Sequence, residues 1–231
     1  MNKHVNNDTY VIIPVYNEGL HIGKVIKQLK KTFHNIVCVD DGSSDDSAAA
    51  IVAAGATIVQ HATNLGQGAA LQTGIEYALQ ASNAQYFITF DADGQHRVED
   101  AQKMLGYLKQ HPVDIVLGSR FLGAAQGIPV LKRMVLRMAI VFSNITSGLK
   151  LTDAHNGLRV FNRVVAEQLK ITMPDMAHAS EIIHRISVRK LRYAELPVTI
   201  VYTDYSKAKG QSVLNAVNIS FDLLLQKVSR K

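Results

Sequence analysis

Five short β-rich apolar runs, at residues 10–15, 35–39, 56–61, 86–90 and 114–117, alternate with stretches of helical periodicity, and no other feature constrains the fold as strongly. Strands that recur with helices between them are laid parallel by crossover connections. The pattern therefore predicts one α/β domain, with a mostly parallel sheet covered by helices on both faces. Ile22, Val25, Ile26 and Leu29 have the spacing of one buried helix face, and Val98, Ala101, Leu105 and Leu108 repeat it. Helices are expected at 45–54, capped by Ser43 and Ser44, and at 67–81 after an Asn-Leu-Gly loop. Beyond Arg120 the rhythm changes to a glycine-containing loop, a basic amphipathic stretch at 130–145, and shorter elements through Val201. This reads as a smaller second half of the same domain. A flexible start at 1–9 and an amphipathic tail helix within 213–231 complete the expected organisation, with the domain itself at 10–212.

At 231 residues the chain suffices for one sizeable core and is too short for two ordinary domains. Its one cysteine, Cys38, lies in an apolar run and reads as a small buried hydrophobe. The opening residues lack the apolar stretch of a secretory signal, and the longest apolar runs fall short of a membrane span. Residence in the cytoplasm is the expectation. The formal charge of +6 favours anionic partners: nucleic acid, an anionic membrane surface or phosphorylated small molecules. With no RNA-binding signature, zinc module or basic repeat, nucleic acid is set aside.

Polar clusters fall where successive strands are expected to end: Tyr16, Asn17 and Glu18 after the first, Asp40 and Asp41 after the second, Asp91 and Asp93 after the fourth. In an open parallel sheet, ligands bind beyond the carboxyl ends of the strands, so these residues read as one site. Helix capping accounts for Asp45 and Asp46 but poorly for the other four carboxylates, which repel one another unless a cation is present. Alternating carboxylates such as Asp91 and Asp93 suit a hard divalent ion that takes its remaining ligands from water and phosphates. Such an ion stabilises charge growing on a departing diphosphate.

The segments VIIPVYNEG, VCVDDGSSDDS, NLGQGAALQTGI, FDADGQH, GSRF, DAHNGLRVFNR and HASEIIHRI, in that order, resemble the family 2 glycosyltransferases of GT-A fold. Among these the chain is most similar to polyprenyl-phosphate sugar transferases of the dolichol-phosphate mannose synthase type and their bacterial polysaccharide relatives. The resemblance implies an inverting, Mg2+- or Mn2+-dependent transferase acting on a nucleotide-diphosphate sugar, UDP being preferred. It places Pro14, Tyr16 and Glu18 beside the nucleotide, Asp41 at the base, and Asp91, Ala92 and Asp93 along ribose and diphosphate. Asp93 becomes the principal metal ligand, with Asp91 and Gln95 beside it. Arg120 and Lys209 meet phosphates, Arg133 and Arg137 grip a lipid phosphate, and Asp153 lies at the transfer site.

A phosphate monoester is already largely ionised at neutral pH and attacks without a strong base. A hydroxyl acceptor needs one, and Asp153 and Glu181 are the candidates. The apolar and basic residues of 130–145 and of the tail suit a bilayer interface or packing on the domain. A polyprenyl-phosphate or lipid-linked acceptor, a peripheral position on the cytoplasmic face of the inner membrane, and a small integral-membrane partner follow as expectations. Two other readings compete: a non-catalytic nucleotide-sugar-binding scaffold, and a phosphohydrolase. The second is disfavoured by Gln95 in place of a threonine and by the motif's place after the fourth strand. His155, His178 and His184 lack zinc-binding spacing, and Leu71 breaks the dinucleotide fingerprint begun by Gly66 and Gly68.

Overall fold

The structure, a computed structural model, describes residues 6–81, 83–123, 130–173 and 177–201. Lys209 and the expected tail helix lie outside the described residues. In chain order the elements are β1 (Thr9–Val15), α1 (Gly19–Leu29), β2 (Asn35–Asp40), α2 (Ser47–Ala54), β3 (Thr57–Gln60), α3 (Gln67–Leu79) and β4 (Tyr86–Thr89). Next come α4 (Val98–Gln110), β5 (Ile115–Ser119), α5 (Val130–Ser147), β6 (Arg159–Asn162), α6 (Arg163–Gln168), α7 (Ala177–Val188) and β7 (Tyr193–Pro197). All five strands expected from the apolar runs are present, within two residues at each end.

The sheet has the order β3-β2-β1-β4-β6-β5-β7. Every strand runs in one direction except β6, which lies antiparallel between β4 and β5. Because β6 enters from the opposite end, its first residue, Arg159, sits level with Thr89 and Leu117, beside the carboxyl ends of its neighbours. That edge of the sheet carries the polar clusters.

Alternating side chains send each strand into two cores. Val11, Ile13, Cys38, Ile88, Val116 and Val160 meet Ile22, Ile26, Ala101 and Leu105 from α1 and α4. Ile12, Phe87, Ile115 and Phe161 meet Leu71, Ile75 and Ile182 from α3 and α7 on the other face. α5 departs from this pattern. Ile140 reaches the second core, while Met134, Met138, Val141 and Ile145 are 58%, 67%, 57% and 77% exposed. No helix among the described residues is long and apolar enough to cross a membrane.

Candidate active site

The loops after β1 and β2 are knitted together before any ligand is considered. Asn17 adopts a left-handed backbone (φ 54°), which Asn tolerates better than most residues. Its amide donates to Ser43 Oγ at 2.9 Å, and its side-chain oxygen accepts from Ser44 N at 2.9 Å. Glu18 N donates to Ser47 Oγ at 2.8 Å and Gly19 N to Asp45 Oδ2 at 2.9 Å. Ser43 and Ser44 therefore serve the neighbouring loop rather than capping α2, whose N-cap residue is Asp46. Pro14, the last residue but one of β1, is half-buried, Tyr16 just past the strand is 45% exposed, and Glu18 is buried.

The four carboxylates expected to converge divide into two pairs. Asp40 accepts from Ser43 N and Gln60, and Asp41 is 2% exposed and accepts from His61 Nδ1 (2.6 Å), Leu65 N (2.9 Å) and Gly66 N (2.8 Å). Asp41 thus fixes the loop that leads into α3. The first turn of α3 is itself closely packed: a Cβ on Gly68 would collide with the carbonyl of Met173. His61 completes the arrangement by placing its other ring nitrogen 2.9 Å from Thr73 Oγ1.

The second pair follows β4. Asp91 accepts from His96 Nε2 at 2.7 Å and from Gln67 Nε2 at 3.3 Å. Burial pushes its carboxyl up, but the charges of His96, Arg159 and His178 pull harder, leaving it below the usual carboxylate range. Asp93 is raised instead, by burial and by the charge of Asp91, with Glu18 adding to the effect. Its oxygens accept from Gln95 N at 3.0 Å and Gln95 Nε2 at 2.6 Å. Ala92, between the two aspartates, is buried. A carboxylate crowded by other carboxylates gains by a nearby cation, so Asp91 and Asp93 fit a divalent ion. Among the described residues no group of three His, Cys, Asp or Glu side chains is placed to hold a metal ion, and a hard ion such as Mg2+ usually keeps several waters and takes phosphate oxygens beside one or two carboxylates.

Across β6 lies the third group. Asp153, 4% exposed, accepts from Arg120 Nε at 2.6 Å, from Arg120 N at 3.1 Å and from His155 N at 3.2 Å. Arg120 Nη2 donates to the carbonyl of His155 at 3.0 Å. Glu195 on β7 accepts from Thr152 N and from Asp153 N, holding this loop from below. Burial pulls His155 down to about 4, so its ring is neutral at physiological pH. Glu181, the other candidate base, is engaged away from this group. It accepts from Thr172 N, Met173 N, Thr172 Oγ1 and the guanidinium of Arg185, clamping the 172–173 segment. Arg133 and Arg137 project from α5, exposed, beside Met134 and Met138.

Two residues that sequence reasoning left without a role stand in the centre. Gly157 faces Asp91 so closely that a Cβ there would collide with its carboxylate, and its carbonyl accepts from Thr89 Oγ1 at 2.6 Å. Arg159 is 3% exposed, and burial pulls its guanidinium down to about 10 although Asp91 and Asp153 favour its charge. The signal for Arg159 was available: an arginine at the head of the apolar run LRVF is out of keeping with a strand core.

Three comparisons bear on this geometry. The model of glycosyl transferase family 2 matches residues 10–170. An uncharacterized protein of Methanocaldococcus jannaschii is 32% identical over 99% of this chain and 96% of its own. The UDP-N-acetylglucosamine–dolichyl-phosphate N-acetylglucosaminyltransferase of Methanococcus voltae is 29% identical over 96% of each. In structure, the chain is similar to glucosyl-3-phosphoglycerate synthase from Mycobacterium tuberculosis in complex with Mn2+, UDP and glucosyl-3-phosphoglycerate. That likeness has a TM-score of 0.69 at 16% identity and covers 97% of this chain and 80% of the other.

Proposed function

Because the chain belongs to glycosyl transferase family 2, with the GT-A fold, we propose that it moves a sugar from a UDP-sugar to a membrane-borne polyprenyl phosphate, inverting the anomeric carbon. The observation that carries the acceptor is the state of its two candidate bases. Asp153 is committed to Arg120 and the backbone of His155, and Glu181 to Thr172, Met173 and Arg185. Neither of these two carboxylates stands open to take a proton from a hydroxyl acceptor, whereas a phosphate monoester arrives already ionised. The activity in the name of the Methanococcus voltae relative is in keeping with both substrates.

In this reading Pro14, Tyr16 and Glu18 border the nucleotide and Asp41 lies at the base. Three of the roughly four acceptor positions of Asp41 are used, leaving about one for a base N–H. Asp93, with Asp91 and Gln95, would hold Mg2+ or Mn2+, and Ala92 keeps the segment between them small. When bound, such an ion would supply positive charge where charge develops on the departing diphosphate. Arg120, steadied by Asp153, orients the phosphates at the transfer point, and Lys209 adds a second cation. Arg133 and Arg137 hold the lipid phosphate, whose oxygen forms the new bond to the anomeric carbon as the bond to UDP breaks. The exposed apolar face of α5 rests on the cytoplasmic leaflet of the inner membrane, where a small integral-membrane protein is a suitable anchor.

Thermal unfolding with UDP, GDP, dTDP or CDP, each with and without Mn2+, tests the donor. UDP with Mn2+ should raise the midpoint, by an amount set by its affinity. Transfer from UDP-N-acetylglucosamine to polyprenyl phosphate, and not to the corresponding prenol, tests the acceptor. Indifference to every nucleotide, or equal transfer to the prenol, defeats the proposal.

A further inference from the structure

Arg159 is a cation kept in the interior at a cost. Moving a charged group out of water is costly even after relaxation, and such groups are retained where they have a partner or a task. Asp91 already pairs with His96 and Asp153 with Arg120, and among the described residues no ion pair joins Arg159 to either carboxylate, although both favour its charge. Its Nη1 is buried without a hydrogen-bond partner. Side-chain alternation puts Arg159 on the same face as Phe161, the face of α3 and α7, from which Gln67 and His178 also approach Asp91.

The topology explains why this position matters. Asp91 follows β4, and Arg120 follows β5. β6 separates those two strands, and Arg159 opposes Thr89 on one and Leu117 on the other. It is therefore at the seam between the Asp91 half and the Arg120–Asp153 half. We propose that Arg159 is a positioning residue that sets the distance between these halves by attracting Asp91 and Asp153 at once. The inference rests on reading Asp91 as a donor-side group and Asp153 as a transfer-side group.

The test uses Arg159→Met, Arg159→Gln and Arg159→Lys, alone and with Asp153→Asn. Loss of the charge should lower kcat about a hundredfold while KM for UDP-N-acetylglucosamine and for polyprenyl phosphate moves less than about threefold, because registration and not binding is lost. The lysine variant should recover to within about tenfold of wild type. In the Asp153→Asn background the same substitution should cost far less than alone, since coupled residues are not additive. A collapse of KM together with kcat, a lysine variant as slow as the methionine one, or additive losses overturns the proposal. Failure of both uncharged variants to fold makes Arg159 structural and also overturns it. A cycle of thermal midpoints over the same variants needs no acceptor. It decides on Arg159 even where wild type transfers nothing to polyprenyl phosphate, an outcome that defeats the functional reading alone.

Discussion

At Gly157 the absence of a side chain is what lets Asp91 occupy its place. Alanine there forces either the β6 approach or the carboxylate to move, and overpacking of this kind costs about 1–3 kcal/mol. Gly157→Ala should lower the thermal midpoint by a few degrees and weaken UDP–Mn2+ binding at least about tenfold, measured by calorimetry. Unchanged affinity removes Asp91 from the donor site. The aspartates themselves were legible in the sequence because they follow a strand and alternate with a small residue. Gly157 was not, and Arg159 showed only as an arginine out of keeping with its apolar run, since the meaning of both comes from Asp91, more than sixty positions away and brought alongside only by β6. Asp41 shows the opposite difficulty. Its carboxylate was readable as a site residue, but its ties to His61, Leu65 and Gly66 depend on the fold of a loop that no spacing reveals.

Among the elements, α5 has the clearest consequence. A helix whose Met134, Met138, Val141 and Ile145 face outward, beside Arg133 and Arg137 and with no acidic residue along it, is suited to an anionic leaflet. It is also tied to the site: Asn144 exchanges two hydrogen bonds with Leu151, each at 2.9 Å, two residues before Asp153. Sedimentation with phosphatidylglycerol vesicles should carry the wild-type protein down. Met138→Glu should weaken that binding about tenfold, and Arg133→Gln with Arg137→Gln should weaken it by about 1 kcal/mol per charge while reducing its salt dependence. Equal sedimentation of all three proteins counts against the membrane face. The sequence showed the amphipathic character of this stretch but left open whether it faced lipid or core, because periodicity gives a face without its partner. It gave no warning of β6. A four-residue strand headed by arginine offers too short a run to be told from a loop.

For the molecule as a whole, two cores share one sheet, and Cys38 lies in the first of them, fully buried between β1 and β3. Burial pushes its thiol up to about 12, so it is neither accessible nor a thiolate at neutral pH. Labelling by a thiol reagent at pH 8 should await global unfolding, with a denaturant midpoint matching that of far-ultraviolet circular dichroism. Rapid labelling in native buffer shows instead that the β1–β2–β3 side opens independently. The alternation of strands and helices made this architecture readable at the outset, including the edge on which the polar clusters gather.

The antiparallel β6 has one more effect, on the order in which the chain can assemble. A nascent chain leaving the ribosome presents β4 and β5 before the strand that joins them exists, since β6 begins only at Arg159. Until it arrives, one edge of β4 and both edges of β5 stay unpaired, because β5 joins the sheet only through β6 and β7, the condition under which partly made chains aggregate. Translation must pass Asn162 before the Asp91 side and the Arg120–Asp153 side can become one body. Fragments ending earlier therefore leave these edges open to pairing with other chains.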